Sequence, residues 1–231
     1  MTPDADLDLG DLAPAERVAA LTKRGIAQAG AGEGIAAVIS LKEAEQVALD
    51  AGLASLAIGA HIDRGWALWQ AGEAEGAIVL YAEGAQMARV ADDTGRLRIA
   101  LGNLGLAYGH LGRHAEALST YEEYLTLLAD DPAEAADAHL NAGSALVSLG
   151  RAEEAEAHFD SAERLAEGAG LIEPRVVVSL NRGVLRERAG DTDAAFERYW
   201  QAFDLAEESK DADLVGRTTT MLGRAYTRAG D

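Results

Sequence analysis

The stretch Leu104-Gly105-Leu106-Ala107-Tyr108-Gly109-His110-Leu111-Gly112-Arg113-His114-Ala115-Glu116-Ala117, followed by Tyr121, decides the fold because its punctuation recurs along the chain. Gly112 is one of six glycines, Gly32, Gly72, Gly112, Gly150, Gly190 and Gly230, at separations of 40, 40, 38, 40 and 40 residues. Gly105 belongs to a second column that stands seven residues earlier, at Gly25, Gly65, Gly105, Gly143, Gly183 and Gly223. Ala117 belongs to a third, Ala37, Ala77, Ala117, Ala155 and Ala195, five residues after the first five turn glycines. Self-similarity at this period marks a solenoid, in which each unit buries its apolar face only against its neighbours. The 231 residues therefore form one repeating core, and function is expected on a long surface.

Working outward, alanine is abundant and aromatics make up only 5% of the residues, which favours helices over sheets. No alternating strand pattern is present. Each repeat reads as a first helix that ends at the turn glycine and a second helix beyond it. Glycine suits the turn because it accepts a positive φ just past a helix end. Breakers mark the return connections: Asp50-Ala51-Gly52, Asp92-Asp93-Thr94-Gly95, Asp130-Asp131-Pro132, Gly168-Ala169-Gly170 through Pro174, and Lys210-Asp211. The pattern predicts about eleven helices. The earlier glycine of each repeat falls inside a helix, at a cost of about 1 kcal/mol relative to alanine. Close approach of the second helix is the expected compensation. Four residues beyond the alanine column, Leu41, Tyr81, Tyr121, Phe159 and Tyr199 are expected to fill the space between helices.

Leu104-Gly105-Leu106-Ala107-Tyr108 with Ala117 and Tyr121 resembles the tetratricopeptide signature of L-G-x-x-Y followed by A-x-x-x-F, and Leu222-Gly223-Arg224-Ala225-Tyr226 repeats its first half. The resemblance implies an all-α fold, a right-handed α-solenoid of antiparallel helix pairs. It departs from the family in its period of 40 instead of 34, and in Arg182 and Arg186, which replace apolar residues. The longer period resembles the repeats of kinesin light chains, Rap-type regulators, and sensor arrays of STAND-type ATPases or CHAT-type proteases. The expected organisation is an acidic disordered tail over 1–12 and a single array over 13–231. Its repeats run about 14–52, 53–93, 94–132, 133–172 and 173–212, with a half repeat at 213–231.

The resemblance places the first helices on the concave surface. There, the position nine residues before each turn reads Lys23, Asp63, Asn103, Asn141, Asn181 and Met221. Asn103, Asn141 and Asn181 carry both donor and acceptor, which suits the backbone of an extended peptide, or else a neighbouring helix. Trp66 and Trp69 share one face of a first helix and suit either a partner contact or core packing. Arg188, Arg224 and Arg228 form a candidate basic patch for carboxylates, or else pair with nearby acids. The lysine and asparagine pattern of the family's chaperone-tail clamp is not reproduced.

Subtracting 39 acidic from 20 basic residues gives a net charge of −19, which disfavours nucleic acid and anionic membranes. The absence of cysteine excludes disulfides and thiolate ligands, and fits a reducing compartment. Neither a signal peptide nor a membrane span is legible, so a cytoplasmic location is expected, and the excess of arginine over lysine hints at a bacterial gene. His110 and His114 are separated by the helix-breaking Gly112 and so do not form a metal pair, and no metal or cofactor is expected. Gly30-Ala31-Gly32-Glu33-Gly34 lacks the Lys-Ser/Thr of a phosphate loop. No acid-base pair stands out, so catalysis is not expected. The leading expectation is a non-catalytic module that binds a peptide or protein. The alternatives are the sensing arm of a larger signalling protein and a scaffold that self-assembles through its C-terminal end, where Gly230 has no second helix after it and Leu222 and Tyr226 are expected to be poorly covered.

Overall fold

The computed structural model describes residues 9–229. Residues 1–8 of the expected tail and the last turn glycine, Gly230, lie outside the described residues. Among the described residues there are eleven α-helices and one short 3-10 turn at Leu9–Asp11. The helices are α1 (Pro14–Gly30), α2 (Gly34–Asp50), α3 (Ala54–Gln70), α4 (Ala74–Val90), α5 (Thr94–His110), α6 (His114–Leu125), α7 (Pro132–Ser148), α8 (Ala152–Ala169), α9 (Ile172–Arg188), α10 (Thr192–Ser209) and α11 (Ala212–Ala229). The class is all-α, and consecutive helices pair in the manner of tetratricopeptide solenoids. The chain divides into two compact units, one ending at Gly112 and one beginning at Arg113. The first holds α1 to α5, in which α3 also touches α1 and α5; the second holds α6 to α11, in which α9 also touches α7 and α11.

Each hairpin turn has the geometry its glycine predicts. Gly32, Gly72, Gly112, Gly150 and Gly190 have φ between 72 and 82°. Around Gly32 the amide of Glu33 donates to the carbonyl of Gln28 at 2.8 Å and that of Gly32 to Ala29 at 3.0 Å, which caps the end of α1. Four of the return turns use a left-handed residue as well, Gly52 and Gly170 in two of them and the side-chain-bearing Asp92 at φ 51° and Lys210 at φ 58° in the others, whereas the turn from α6 to α7 has none. Asp93, Asp131 and Asp191 then cap the helices that follow, accepting from the amides of Arg96, Glu134 and Ala194 at 3.0 to 3.1 Å.

The in-helix glycines correct the sequence reading. Their bare backbone chiefly receives a side chain from the second helix, sixteen residues later. A Cβ at Gly25 would stand 2.5 Å from Leu41 Cγ, at Gly65 2.8 Å from Tyr81 Cε1, at Gly143 2.5 Å from Phe159 Cε1, and at Gly183 2.3 Å from Tyr199 Cε1. Backbone approach contributes at Gly25, where the Ala37 carbonyl oxygen would lie at 3.2 Å. Leu41, Tyr81, Phe159 and Tyr199 are accordingly buried, and so is the whole alanine column. Each such ring or Leu side chain removed from water contributes about 1.5–3 kcal/mol, which exceeds the helix-propensity cost of its glycine.

Other helix contacts are polar. Arg182, the expected defect in the repeat pattern, is buried between α8 and α9, where it meets Glu156 at 3.0 Å, Asp160 at 2.5 Å and Glu163 at 2.6 Å; Arg186 reaches Glu156 at 3.0 Å. Three carboxylates thus neutralise a guanidinium that burial alone would disfavour. In the first unit, buried His61 lies between Glu45 at 2.8 Å and Glu83 at 3.3 Å, and Arg64 also pairs with Glu45. Burial acts on the Glu45 carboxyl in the upward direction, but its bonds to His61 and Arg64 hold it below its ordinary value. Between α7 and α8, His139 Nδ1 and His158 Nδ1 are 3.1 Å apart, so one ring donates to the other. Burial and the neighbouring His158 and Arg164 push His139 down to about 4, and burial pushes His158 down as well.

The end of the second unit also departs from expectation. Leu222 is buried in a cluster with Val176, Tyr199, Ala202 and Leu214, because α10 and α9 cover it. Tyr226 stays exposed while its ring packs on Phe196 with centroids 4.5 Å apart. Among the described residues no helix is long and apolar enough to cross a membrane.

Two outcomes follow from this packing. Gly183→Ala is expected to destabilise the fold by about 1–3 kcal/mol through overpacking against Tyr199. Gly216→Ala, within α11 and with nothing within 4 Å of the new Cβ, is expected to be neutral or to stabilise by up to about 1 kcal/mol; urea unfolding distinguishes them, and equal effects would refute the side-chain role of the column. The depressed pKa of His139 means that the unfolded chain binds protons more readily. Its stabilising contribution is full above the unfolded value near 6.5 and is lost as pH falls toward 4. Replacing both histidines by glutamine should therefore shrink the drop in Tm between pH 7 and pH 4.5 by about 2–4 °C, measured by circular dichroism.

Candidate functional site

The two units present separate first-helix faces, built from α1, α3 and α5 in the first and from α7, α9 and α11 in the second. In the first unit a groove of about 550 Å³ runs over all three helices. Val18, Ile26, Leu56 and Ala60 give it an apolar lining, while Lys23, Asp63 and Arg96 are its charged residues. Burial raises the Asp63 carboxyl, and the charge of Arg96 opposes that rise. Further along α3 and α5, a smaller hollow of about 230 Å³ is lined by Trp66, Trp69, Tyr81, Asn103 and His110. The fold thus brings Trp66, Trp69 and Asn103 together at one place. Both indoles are half-buried: Trp66 packs on the cluster of Ala29, Ala37, Leu41 and Ala67, and Trp69 stands over His110 with centroids 5.5 Å apart. Each ring therefore serves packing and forms part of the hollow's wall. The Asn103 side chain is half-buried and makes no hydrogen bond among the described residues, so both its donor and its acceptor remain available.

In the second unit a groove of about 590 Å³ between α9 and α11 is lined by Leu180, Asn181, Val184, Met221 and Arg224. Asn181 Nδ2 donates to Ser144 Oγ on α7 at 3.0 Å. One of its groups is thereby bound to a neighbouring helix, and its side-chain oxygen is left to accept. Asn141, on α7, is half-buried and has no side-chain bond among the described residues. Of the six residues at the position nine before the turn, Lys23, Asp63, Asn103, Asn181 and Met221 line grooves or hollows.

The three candidate arginines do not act alike. Arg188 donates to the carbonyl oxygen of Val147 and so satisfies the end of α7. Arg228 pairs with both carboxylate oxygens of Glu187, at 2.8 and 2.9 Å, and Glu187 also accepts from the Tyr199 hydroxyl at 3.1 Å. Arg224 is exposed in the groove and has no ion pair among the described residues. Arg96 was not legible as a site residue, because it belongs to no repeating column. The signal that pointed to it was Gly59, a helix glycine outside both glycine columns.

The tetratricopeptide repeat family matches the sequence at residues 100–130 and 136–168, and again at 58–83. No curated protein is significantly similar to the chain in sequence. Solved structures are similar in fold. BtubC (BKLC) from P. vanneervenii is 22% identical, with 91% of this chain and 85% of that one covered at a TM-score of 0.66. A signal transduction ATPase with numerous domains and a tetratricopeptide repeat sensor, from Pyrococcus horikoshii, is 14% identical at a TM-score of 0.74; the match covers 92% of this chain but 33% of that one. The Rap conjugation gene regulator of the plasmid pLS20, in complex with a Phr peptide, is 16% identical, with 98% and 64% covered at a TM-score of 0.58. The glycine turns, the rings seated on in-helix glycines and the family match through successive hairpins agree: the chain is a repeat protein of the tetratricopeptide-repeat family.

Proposed function

We propose that this protein is a non-catalytic, cytoplasmic interaction module that takes a peptide or protein partner on its first-helix faces. The observation that carries this reading is the half-buried asparagines, Asn103 in the first unit and Asn141 and Asn181 in the second, whose amide groups are wholly or partly unused among the described residues. A half-buried amide without a protein partner is suited to the backbone of an extended segment, which offers one donor and one acceptor per residue. Apolar grooves beside Asn181 and beside Lys23 and Asp63 supply surface that rewards burial of partner side chains. The absence of cysteine fits a reducing compartment. The Rap regulator, similar in fold, is in complex with a peptide, which supports the same class of partner here.

A second reading is favoured by the match to the signal transduction ATPase, of which this chain spans about a third. There the repeats are described as a sensor, and this array would play the sensing part for an effector domain encoded with it. Both readings place recognition on the same faces.

Affinity purification with mass spectrometry would identify a partner, after which Asn103→Ala, Asn141→Ala and Asn181→Ala together are expected to weaken its binding by about 100-fold or more, on the basis of about 1 kcal/mol or more per lost hydrogen bond. Helicity and Tm should change little, since only Asn181 bonds another side chain. Unchanged affinity in calorimetry would refute the assignment of these faces.

A further inference from the structure

Gly59 lies in the middle of α3, where glycine weakens a helix. The room it leaves is taken by an arginine. A Cβ at Gly59 would stand 2.6 Å from Arg96 Cζ, 2.7 Å from Nη1 and 2.8 Å from Nη2. Three nearly equal distances mean that the guanidinium lies face-on against the bare backbone of α3. Because its N–H groups lie in its own plane, they are directed along the groove and not into the helix. Arg96 is half-buried, and among the described residues its side chain makes neither a hydrogen bond nor an ion pair; Asp63 and Asp93 act on it only through their charge. A fixed planar cation with unused donors thus stands in a groove otherwise lined by Val18, Ile26, Leu56 and Ala60. Carboxylate is the complement of such a fork, because it accepts two parallel bonds in one plane.

We propose that the groove over α1, α3 and α5 binds an extended partner segment in which an acidic side chain adjoins apolar ones, with the carboxylate on Arg96 and the apolar side chains on Ile26 and Leu56. The groove crosses three successive first helices, which suits a chain that passes through it, so the carboxylate belongs to an internal Glu or Asp. Asp63, on the same wall, accepts from a backbone N–H of the segment. Gly59 is then a positioning residue, since it sets the plane of Arg96 without touching the ligand. This inference rests on the reading of the first-helix faces as partner surfaces and adds the chemistry of one of them.

The test uses the full chain and three fluorescein-labelled peptides in anisotropy titrations. The first is Gly-Leu-Ala-Glu-Leu-Gly with both ends capped, the second carries Gln in place of Glu, and the third is the Gln peptide with a free C-terminus. The Glu peptide is expected to bind about tenfold or more tighter than the capped Gln peptide, in keeping with a charge-assisted bidentate pair. Arg96→Gln should abolish that preference. Gly59→Ala should reduce it by displacing the guanidinium while leaving Tm unchanged or raised, a combination that a merely structural glycine would not give. Equal affinity for the Glu and capped Gln peptides, or a preference that survives Arg96→Gln, overturns the proposal. Binding of the free-ended Gln peptide as tight as that of the Glu peptide overturns the internal source of the carboxylate. Absence of binding by all three up to about 1 mM also overturns it, while loss of an identified partner on the asparagine substitutions would leave the broader reading standing.

Discussion

The seat of one large side chain on one bare stretch of backbone organises this protein. In each hairpin where the contact is described, a ring or leucine from the second helix occupies the place that a Cβ would take on the first. Such a contact fixes the rotation of both helices at once, because a knob one residue out of register meets a side chain instead of a glycine. The alanine four residues before the knob keeps the second helix close along the same face. Turn glycines with positive φ then set the chain reversal, and the return turns at Gly52, Asp92, Gly170 and Lys210 use the same conformation. Each of these hairpins repeats the same register between its two helices.

Polar contacts decide where the array differs from a uniform stack. Arg182 stands where the family pattern expects an apolar residue, yet it is buried because α8 supplies three carboxylates at matching height. His61 is held between two glutamates in a comparable way. These groups help to hold neighbouring helices together. Arg96 differs in this respect: it lies in a groove and has no side-chain hydrogen bond or ion pair among the described residues.

Much of the fold was legible because its requirements are local. Only glycine is at ease in the left-handed turn, so the turn column announced itself, and Pro14 and Pro132 fall at helix starts where a missing amide costs nothing. Asp92 and Lys210 were not legible as left-handed residues, since neither is the residue that this conformation selects. The in-helix glycines and the aromatic knobs were each visible as columns. That the two columns meet was not, because contact between residues sixteen apart depends on how the two helices are rotated. The same limit applied at the candidate site. Register placed Asn103, Asn141 and Asn181, and Trp66 and Trp69, on first helices, but not the bond from Asn181 to Ser144, nor the engagement of Arg188 with a carbonyl oxygen and of Arg228 with Glu187 across about forty residues.

The sequence by itself determined the repeat, its period, the helical class and the face on which each column falls, because all of these follow from backbone preferences and from spacing along one chain. The tertiary structure decided which side chains remain available to a partner. Leu222 turned out to be covered, two of three candidate arginines were already engaged, and Arg96 lies over Gly59 with no side-chain partner among the described residues. Availability is the remainder after every neighbouring helix has taken its contacts, and those neighbours are set by packing between elements distant in the chain.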